Sequence, residues 1–269
     1  MVSIVAQDVS VVFPMVGSDA RHGMKLKKQT DRRGTQLGGK IILEDNRPAG
    51  ILALDRLNLV AKPGDRIGLF GPNGSGKSTA LRVLGGIYPP TAGHIEVNGK
   101  VSAMFSLNLG VNQEATGLEN IELKGILHGL MREEIRELIP EIIDFSELGD
   151  YIHLPVKTYS SGMKMRLLFS IASAFRPDIL LLDEWVSTGD KRFRRKVAQR
   201  METILEQTPI VIVASHDHRR ISSWANKIIQ MKRGRAQMLD PVAFSEWQAW
   251  KERKKQKKRR RNRQLAPNN

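Results

Sequence analysis

The nine residues Gly71-Pro72-Asn73-Gly74-Ser75-Gly76-Lys77-Ser78-Thr79 constrain this chain more than any other stretch. Before them, Ile67-Gly68-Leu69-Phe70 has the pattern of a short buried strand; after them, Thr79-Ala80-Leu81-Arg82-Val83-Leu84 has that of a helix. A strand, a glycine loop and a helix in that order make a cradle for phosphate. Gly71, Gly74 and Gly76 permit a backbone path that turns successive N–H groups inward, and the helix adds the positive end of its dipole. Lys77 can reach the β and γ phosphates, and the Ser78 hydroxyl can ligate a Mg²⁺ ion that bridges them. The alternative, an ordinary glycine-rich turn, accounts for neither the Lys77-Ser78 pair nor the two flanks. The stretch implies nucleotide binding.

With 269 residues and 41% hydrophobic content, the chain can bury a large core as one domain with or without an inserted subdomain. It has no apolar run approaching the roughly 20 residues of a membrane-spanning helix, and Met1-Val2-Ser3-Ile4-Val5-Ala6-Gln7-Asp8 lacks the arrangement of a secretion signal, so a cytoplasmic location is expected. The absence of cysteine excludes disulfides and thiolate metal sites. The formal charge of +15 is uneven: residues 251–263 carry a net +9 and residues 21–47 a net +5, which leaves the remainder nearly neutral. Such basic runs either contact anionic lipid or nucleic acid or remain solvated tails.

Residues 3–13 read as a strand rich in β-branched side chains that ends at Phe13-Pro14. The basic interval over about 14–49 has no sustained period and is expected to be a surface excursion between two strands. Alternation from Leu52 to Ala61 reads as another strand, turned by Lys62-Pro63-Gly64-Asp65 into the strand that feeds the loop. Gly85-Gly86 and Tyr88-Pro89-Pro90 stop the loop helix, and His94 to Val101 reads as two strands around an Asn98-Gly99 turn. From Gly117 to Glu147 the period becomes helical, with Pro140 marking a break or kink, within an inserted helical subdomain over about 106–165. Apolar strands at Asp178–Glu184 and Pro209–His216, with a helix over 192–207 between them, complete a parallel sheet covered on both faces. Beyond a domain of residues 1–240, a helix from about Pro241 to Lys257 runs into the basic tail of 241–269. Its Trp247 and Trp250 either pack on the body or dock to a partner or bilayer edge. The fold class is α/β: a mixed sheet core, an antiparallel β layer and an inserted α-helical subdomain.

Two further stretches carry chemistry. Asp183, at the carboxyl end of the Leu180-Leu181-Leu182 strand, can hold Mg²⁺ through water, and Glu184 can orient and deprotonate an attacking water, unless the pair is only an exposed corner. Tyr159-Ser160-Ser161-Gly162-Met163 opens a second helix, whose N-terminus offers Ser160 Oγ and backbone N–H groups to a phosphate.

With the phosphate loop and the Asp183-Glu184 strand, this stretch resembles the signature sequence, usually Leu-Ser-Gly-Gly-Gln, of the ATP-binding cassette (ABC) proteins. The resemblance covers roughly residues 3–240. It implies an ABC-type P-loop NTPase fold and a homodimer whose copies meet head to tail around two ATP molecules with Mg²⁺, so that Ser160, Ser161 and Gly162 serve the nucleotide of the other copy. It also implies that His216, in Ser215-His216-Asp217, senses the γ phosphate; that Asp190, in Ser187-Thr188-Gly189-Asp190, crosses the seam; and that Phe13 stacks on adenine, although a Phe ending a strand is also often core. Ser161 and Met163 replace the family's usual Gly and Gln. Met104-Phe105-Ser106 stands where Phe-Gln is customary, so Ser106 takes the place of a glutamine that links the γ phosphate to the partner, and Gln113 lies too late to align with it.

Thr116-Gly117-Leu118-Glu119-Asn120-Ile121, Thr158 to Arg166 and Asp183 to Asp190 together resemble the ATPase subunits of bacterial polysaccharide exporters, which move capsule, O-antigen or teichoic acid chains. The length suggests the short, capsule-like form. The resemblance implies catalysis by Lys77, Glu184 and His216, a separate membrane-spanning permease, and a peripheral place on the cytoplasmic face of the inner membrane. The basic tail could meet anionic lipid, and no stable nucleic acid partner is expected. Other readings are a different cargo (lipid, drug or peptide) or a soluble cassette acting on nucleic acid or ribosomes.

Overall fold

The computed structural model describes residues 1–15, 39–44, 47–184, 191–240 and 244. Its elements in chain order are β1 (Ser3–Pro14), β2 (Lys40–Glu44), β3 (Arg47–Ala61), β4 (Arg66–Phe70), α1 (Lys77–Leu84), β5 (Ala92–Asn98), β6 (Val101–Ala103), α2 (Gly117–Leu127), α3 (Arg132–Ser146), α4 (Ser161–Ala174), β7 (Ile179–Asp183), α5 (Lys191–Gln207), β8 (Ile210–Ser215), α6 (His218–Trp224), β9 (Lys227–Lys232) and β10 (Arg235–Leu239). They fall into two compact units, one of Met1–Asn98 with Ile210–Asn269 and one of Gly99–Pro209.

In the first unit, an antiparallel sheet runs in the order β2-β3-β1-β5. Strands β4, β8 and β9 form a parallel set, with β4 between the other two and β10 antiparallel on β9. All six residues of β8 are buried, as its unbroken apolar run requires of a strand covered on both faces. Helix α6 packs closely on β4 because Gly68 leaves room: a Cβ there would lie 2.2 Å from Ile221. An ion pair between Lys227 and Asp65 (2.7 Å) joins β9 to the turn that precedes β4.

In the second unit, β6 and β7 pair in parallel, and α2, α3 and α4 enclose a core that includes Ile121, Ile142, Ile152, Tyr159 and Leu167. Helix α2 starts with a capping box: Thr116 Oγ1 accepts from the Glu119 N–H, and Glu119 accepts from the Thr116 N–H. Asn120 is fully buried, and its amide donates to the carbonyls of Asn112 and Thr116 at 2.8 Å.

The structure corrects three expectations. The interval over 14–49 is not wholly an excursion, since Lys40–Glu44 forms the edge strand β2 on β3. The two strands around Asn98-Gly99 do not form a hairpin: β5 pairs with β1, and β6 with β7. Of the break or kink expected at Pro140, the break does not occur, because α3 continues through it. Pro140 and Arg136, whose carbonyl loses its helical donor, both lie on the exposed side, where water can satisfy that carbonyl. The helix over Pro241–Lys257, with Trp247 and Trp250, lies outside the described residues apart from the buried, helical Phe244.

A support for the phosphate loop comes from the far end of the first unit. Lys232 and Arg235 pair across the two-residue turn Arg233-Gly234, where φ is 50° and 79°, as a type I′ turn requires. The Gly234 N–H donates to the Ser75 carbonyl (2.9 Å), and the Asp55 N–H donates to the Gly234 carbonyl (2.9 Å), so the turn sits between β3 and the loop. A Cβ on Gly234 would lie 2.7 Å from the Ala53 carbonyl oxygen. We therefore expect Gly234→Ala to cost about 1–3 kcal/mol in a denaturant titration, through the left-handed backbone and the clash, and to weaken ATP binding about tenfold or more. Wild-type affinity in that variant would show that the turn does not shape the loop.

Candidate functional site

The phosphate loop leaves the carboxyl end of β4 and closes on Gly76, the N-cap of α1. Gly74 and Gly76 have φ of 74° and 105°, a left-handed path that only glycine follows without strain. A Cβ on Gly76 would meet the Ala53 carbonyl at 2.8 Å, and one on Gly71 would meet the Met231 carbonyl at 2.2 Å. Both glycines are therefore fixed by close backbone approach. Gly76 supplies no capping side chain and the first turn of α1 holds no acid, so the N–H groups opening α1 face no competing anion from their own turn.

Lys77 is only 7% exposed, and its ammonium donates to the carbonyls of Gly71 (2.8 Å) and Pro72 (3.2 Å), inside the loop. The Ser75 hydroxyl is buried with no hydrogen-bond partner, an orphan of the kind that a ligand oxygen satisfies. Ser78 and Thr79 are half-buried beside it. Glycine backbone, an ammonium and hydroxyls are a donor set suited to polyphosphate, and Ser78 adds a hard oxygen ligand for Mg²⁺.

His216 belongs to the same edge. Strands β4 and β8 run in parallel with Phe70 opposite Ser215, so His216 leaves β8 where Gly71 leaves β4. It is exposed, and the Asp217 N–H donates to Ser215 Oγ (3.0 Å) in the turn that follows. Phe13, near the end of β1, is 38% exposed and meets Tyr88 edge-on, with centroids 5.5 Å apart. It is not a core residue; it presents an aromatic face at the surface. Tyr88 in turn carries the Arg82 guanidinium 5.7 Å from its ring centroid.

In the second unit, β7 ends at the half-buried Asp183 and the exposed Glu184. Glu184 has φ of 67°, a conformation that costs a non-glycine residue about 1 kcal/mol or more and that collects at functional sites. The register of β6 on β7, Ala103 opposite Leu181, brings the 3-10 turn Met104–Ser106 out beside this end. Gln113 is tied elsewhere: its side-chain oxygen accepts from Lys164 (3.3 Å) on α4.

Ser160 is the N-cap of α4, its hydroxyl accepting from the Met163 N–H (3.2 Å). Ser161 is exposed. A Cβ on Gly162 would meet nothing closer than Ser160 Oγ at 3.9 Å, so no group of this chain demands glycine there. Ser187, Thr188 and Asp190 lie outside the described residues, as do the basic tail and residues 16–38, 45 and 46 of the basic interval. Sequence reasoning missed Ala53, Met231 and Gly234, whose backbones press on the loop glycines; only the Arg233-Gly234 dipeptide carried a turn signal that could have found them.

A family model described as ABC transporter matches residues 54–187. Over 234 residues, 87% of this chain and 96% of the relative, the chain is 39% identical to the O-antigen export system ATP-binding protein RfbE of Yersinia enterocolitica. Over 194 residues, 72% of this chain and 73% of the relative, it is 43% identical to the teichoic acids export ATP-binding protein TagH of Staphylococcus haemolyticus. A solved dimeric, post-hydrolysis state of the ATP-binding cassette MJ0796, bound to ADP and phosphate, shares the fold at a TM-score of 0.60 and 23% identity, covering 88% of this chain and 98% of that one. The stretch that the family model matches includes the phosphate loop, the Asp183-Glu184 strand end and the Ser160 cap alike. The chain belongs to the ABC transporter family, as an ATP-binding subunit that hydrolyses ATP.

Proposed function

We propose that two copies of this chain close head to tail around two ATP molecules and drive a separate membrane-spanning permease that exports a polysaccharide, such as capsule, O-antigen or teichoic acid. The observation that carries the dimer is the start of α4. It is a capped helix N-terminus with open space over Gly162, which suits an anion brought by another molecule. Glycan cargo is supported by the similarity to the O-antigen and teichoic acid export proteins. Among the described residues no helix is long and apolar enough to cross a membrane. The separate permease is supported by the similarity to proteins described as the ATP-binding proteins of export systems. The protein then sits peripherally on the cytoplasmic face of the inner membrane, where the net +9 charge of residues 251–263 would attract anionic lipid.

In this reading the loop from Gly71 to Thr79 holds the β and γ phosphates through Lys77 and through backbone N–H groups, which Pro72 lacks, and Phe13 stacks on adenine. Ser78, and Asp183 through water, would hold a Mg²⁺ ion, which when bound neutralises phosphate charge. Ser106, in the place of the family's glutamine, would be a weaker oxygen ligand. Glu184 takes the proton from the attacking water as its oxygen bonds to the γ phosphorus and the bridging P–O bond breaks, giving ADP and phosphate. His216 donates to the γ phosphate, Ser160, Ser161 and Gly162 of the other copy close over it, and Asp190 crosses the seam. ATP favours the closed pair and hydrolysis reopens it, which is the stroke delivered to the permease.

Three outcomes follow. Glu184→Gln binds ATP with unchanged affinity, accumulates as a dimer in light scattering and loses at least about 100-fold in kcat; undiminished turnover rules out the assigned base. Gly162→Val keeps the unfolding midpoint within a few degrees, because its Cβ has space, yet abolishes ATP-driven dimerisation and most hydrolysis; a dimer that forms normally removes this helix from the interface. Lys77→Ala in the native host leaves glycan trapped in the cytoplasm, and normal surface glycan would refute the cargo.

A further inference from the structure

Glu147 lies where three helices of the second unit meet. It follows α3 as its C-cap and holds a left-handed backbone (φ 54°), a site where Gly or Asn would cost less. Its carboxylate spans two other helices. One oxygen accepts from Arg166 of α4 at 2.8 Å; the other accepts from Lys196 of α5 at 3.0 Å, with Arg192 at 3.8 Å. Hydrogen bonds from Arg166 and then Lys196 hold this carboxyl below the usual carboxylate range. The cations rest on aromatic faces: the Arg166 guanidinium is 4.4 Å from the Phe193 centroid, and the Lys196 ammonium 5.0 Å from that of Phe145. Phe145 and Phe193 meet edge-on at 5.8 Å, a contact that needs no carboxylate nearby. Packing alone therefore does not call for an acid at a strained position.

What the two clamped helices carry gives the acid its use. Helix α4 begins at the Ser160 cap, and Arg166 stands less than two turns inside it. Helix α5 begins at Lys191, with only residues 185–190 between it and Glu184, and Lys196 stands in its second turn. The carboxylate ties the start of the helix that would meet the other copy's nucleotide to the start of the helix that follows the hydrolytic glutamate.

We propose that Glu147 is a positioning residue for ATP hydrolysis: it couples engagement of the other copy's nucleotide by Ser160 to the placement of Glu184 in the same chain. The inference rests on the dimer reading above. With the clamp intact, a phosphate that draws in the α4 terminus also moves α5, so the two sites of a dimer work together. With Gln at 147 the charge that holds both cations is gone; α4 and α5 keep the stacking of Arg166 on Phe193, but the coupling between them weakens.

The test compares Glu147→Gln and Lys196→Gln, each alone and combined with Glu184→Gln, and uses Glu114→Gln, which loses an exposed pair with Lys157, as control. Both clamp variants are expected to keep the unfolding midpoint within a few degrees and the affinity of dilute monomer for fluorescent ATP. Where the proposed dimer makes hydrolysis by the wild-type protein depend sigmoidally on ATP, the clamp variants should show a hyperbolic dependence and, in the Glu184→Gln background, need roughly tenfold more ATP to dimerise. The control should change none of these. A Glu184→Gln parent that never dimerises overturns the dimer reading and this inference with it. A parent that dimerises, with an unchanged ATP requirement in the clamp variants, overturns the inference alone. If Glu147→Gln does not fold, Lys196→Gln decides.

Discussion

The phosphate loop keeps its shape because backbone presses on backbone. The carbonyls of Ala53 and Met231 lie 2.8 and 2.2 Å from where Cβ atoms of Gly76 and Gly71 would be, too close to admit them, and the Gly234 N–H holds the Ser75 carbonyl. A loop fixed this way needs no ordering when a phosphate arrives, so in the proposed function its N–H groups and the Lys77 ammonium would act as preset donors. The interactions span the first unit: β3 comes before the loop in sequence, and the β9–β10 turn more than 150 residues after it. Asp55 strengthens the frame by pairing with both Arg235 (2.7 Å) and Lys40 (3.0 Å). Burial raises its carboxyl, but hydrogen bonds from Arg235 and Lys40 outweigh that and hold it below the usual range. The frame is thus complete at neutral pH and weakens only as acid protonates Asp55 below its normal titration.

The second unit uses a different device. Gly117, opening α2, sits so close to Tyr159 that a Cβ would lie 2.6 Å from the phenol oxygen, and that phenol donates to the Tyr151 carbonyl at 2.5 Å. Thr116–Ile121 and Thr158–Arg166, two of the strings that carry the resemblance to polysaccharide exporters, are therefore interlocking surfaces of one joint. The capping box of Thr116 and Glu119 and the buried amide of Asn120 fix the start of α2. Tyr159 in turn is the residue just before the Ser160 cap, and its phenol anchors the chain there. What read as a subfamily marker is also a packing solution that holds the cap in place.

Much of this was legible in the chain itself, for a physical reason. The phosphate loop, the Asp183-Glu184 strand end and the Ser160 cap are each written in contiguous residues, so spacing reports them even where, as in the loop, distant backbone holds the shape. What sequence hid is non-local. The Asn98-Gly99 signal marked a real change of direction, but the partners of β5 and β6 are chosen by distant strands. Strand β2 was masked by its basic flanks, and the β9–β10 turn by Arg233, a residue rarely found at positive φ. The loop supports and the Glu147 junction join side chains far apart in sequence, which periodicity does not connect.

The central claim is that the Ser160 helix of one copy faces the phosphate loop of another. Because the chain has no cysteine, an Asn73→Cys/Ser161→Cys variant reads this directly, each substitution falling at an exposed residue. Under mild oxidation with ATP, in a variant unable to hydrolyse it, the account predicts a disulfide-linked dimer that does not form without nucleotide. A protein that stays monomeric with ATP bound, or that cross-links equally without it, would contradict the account.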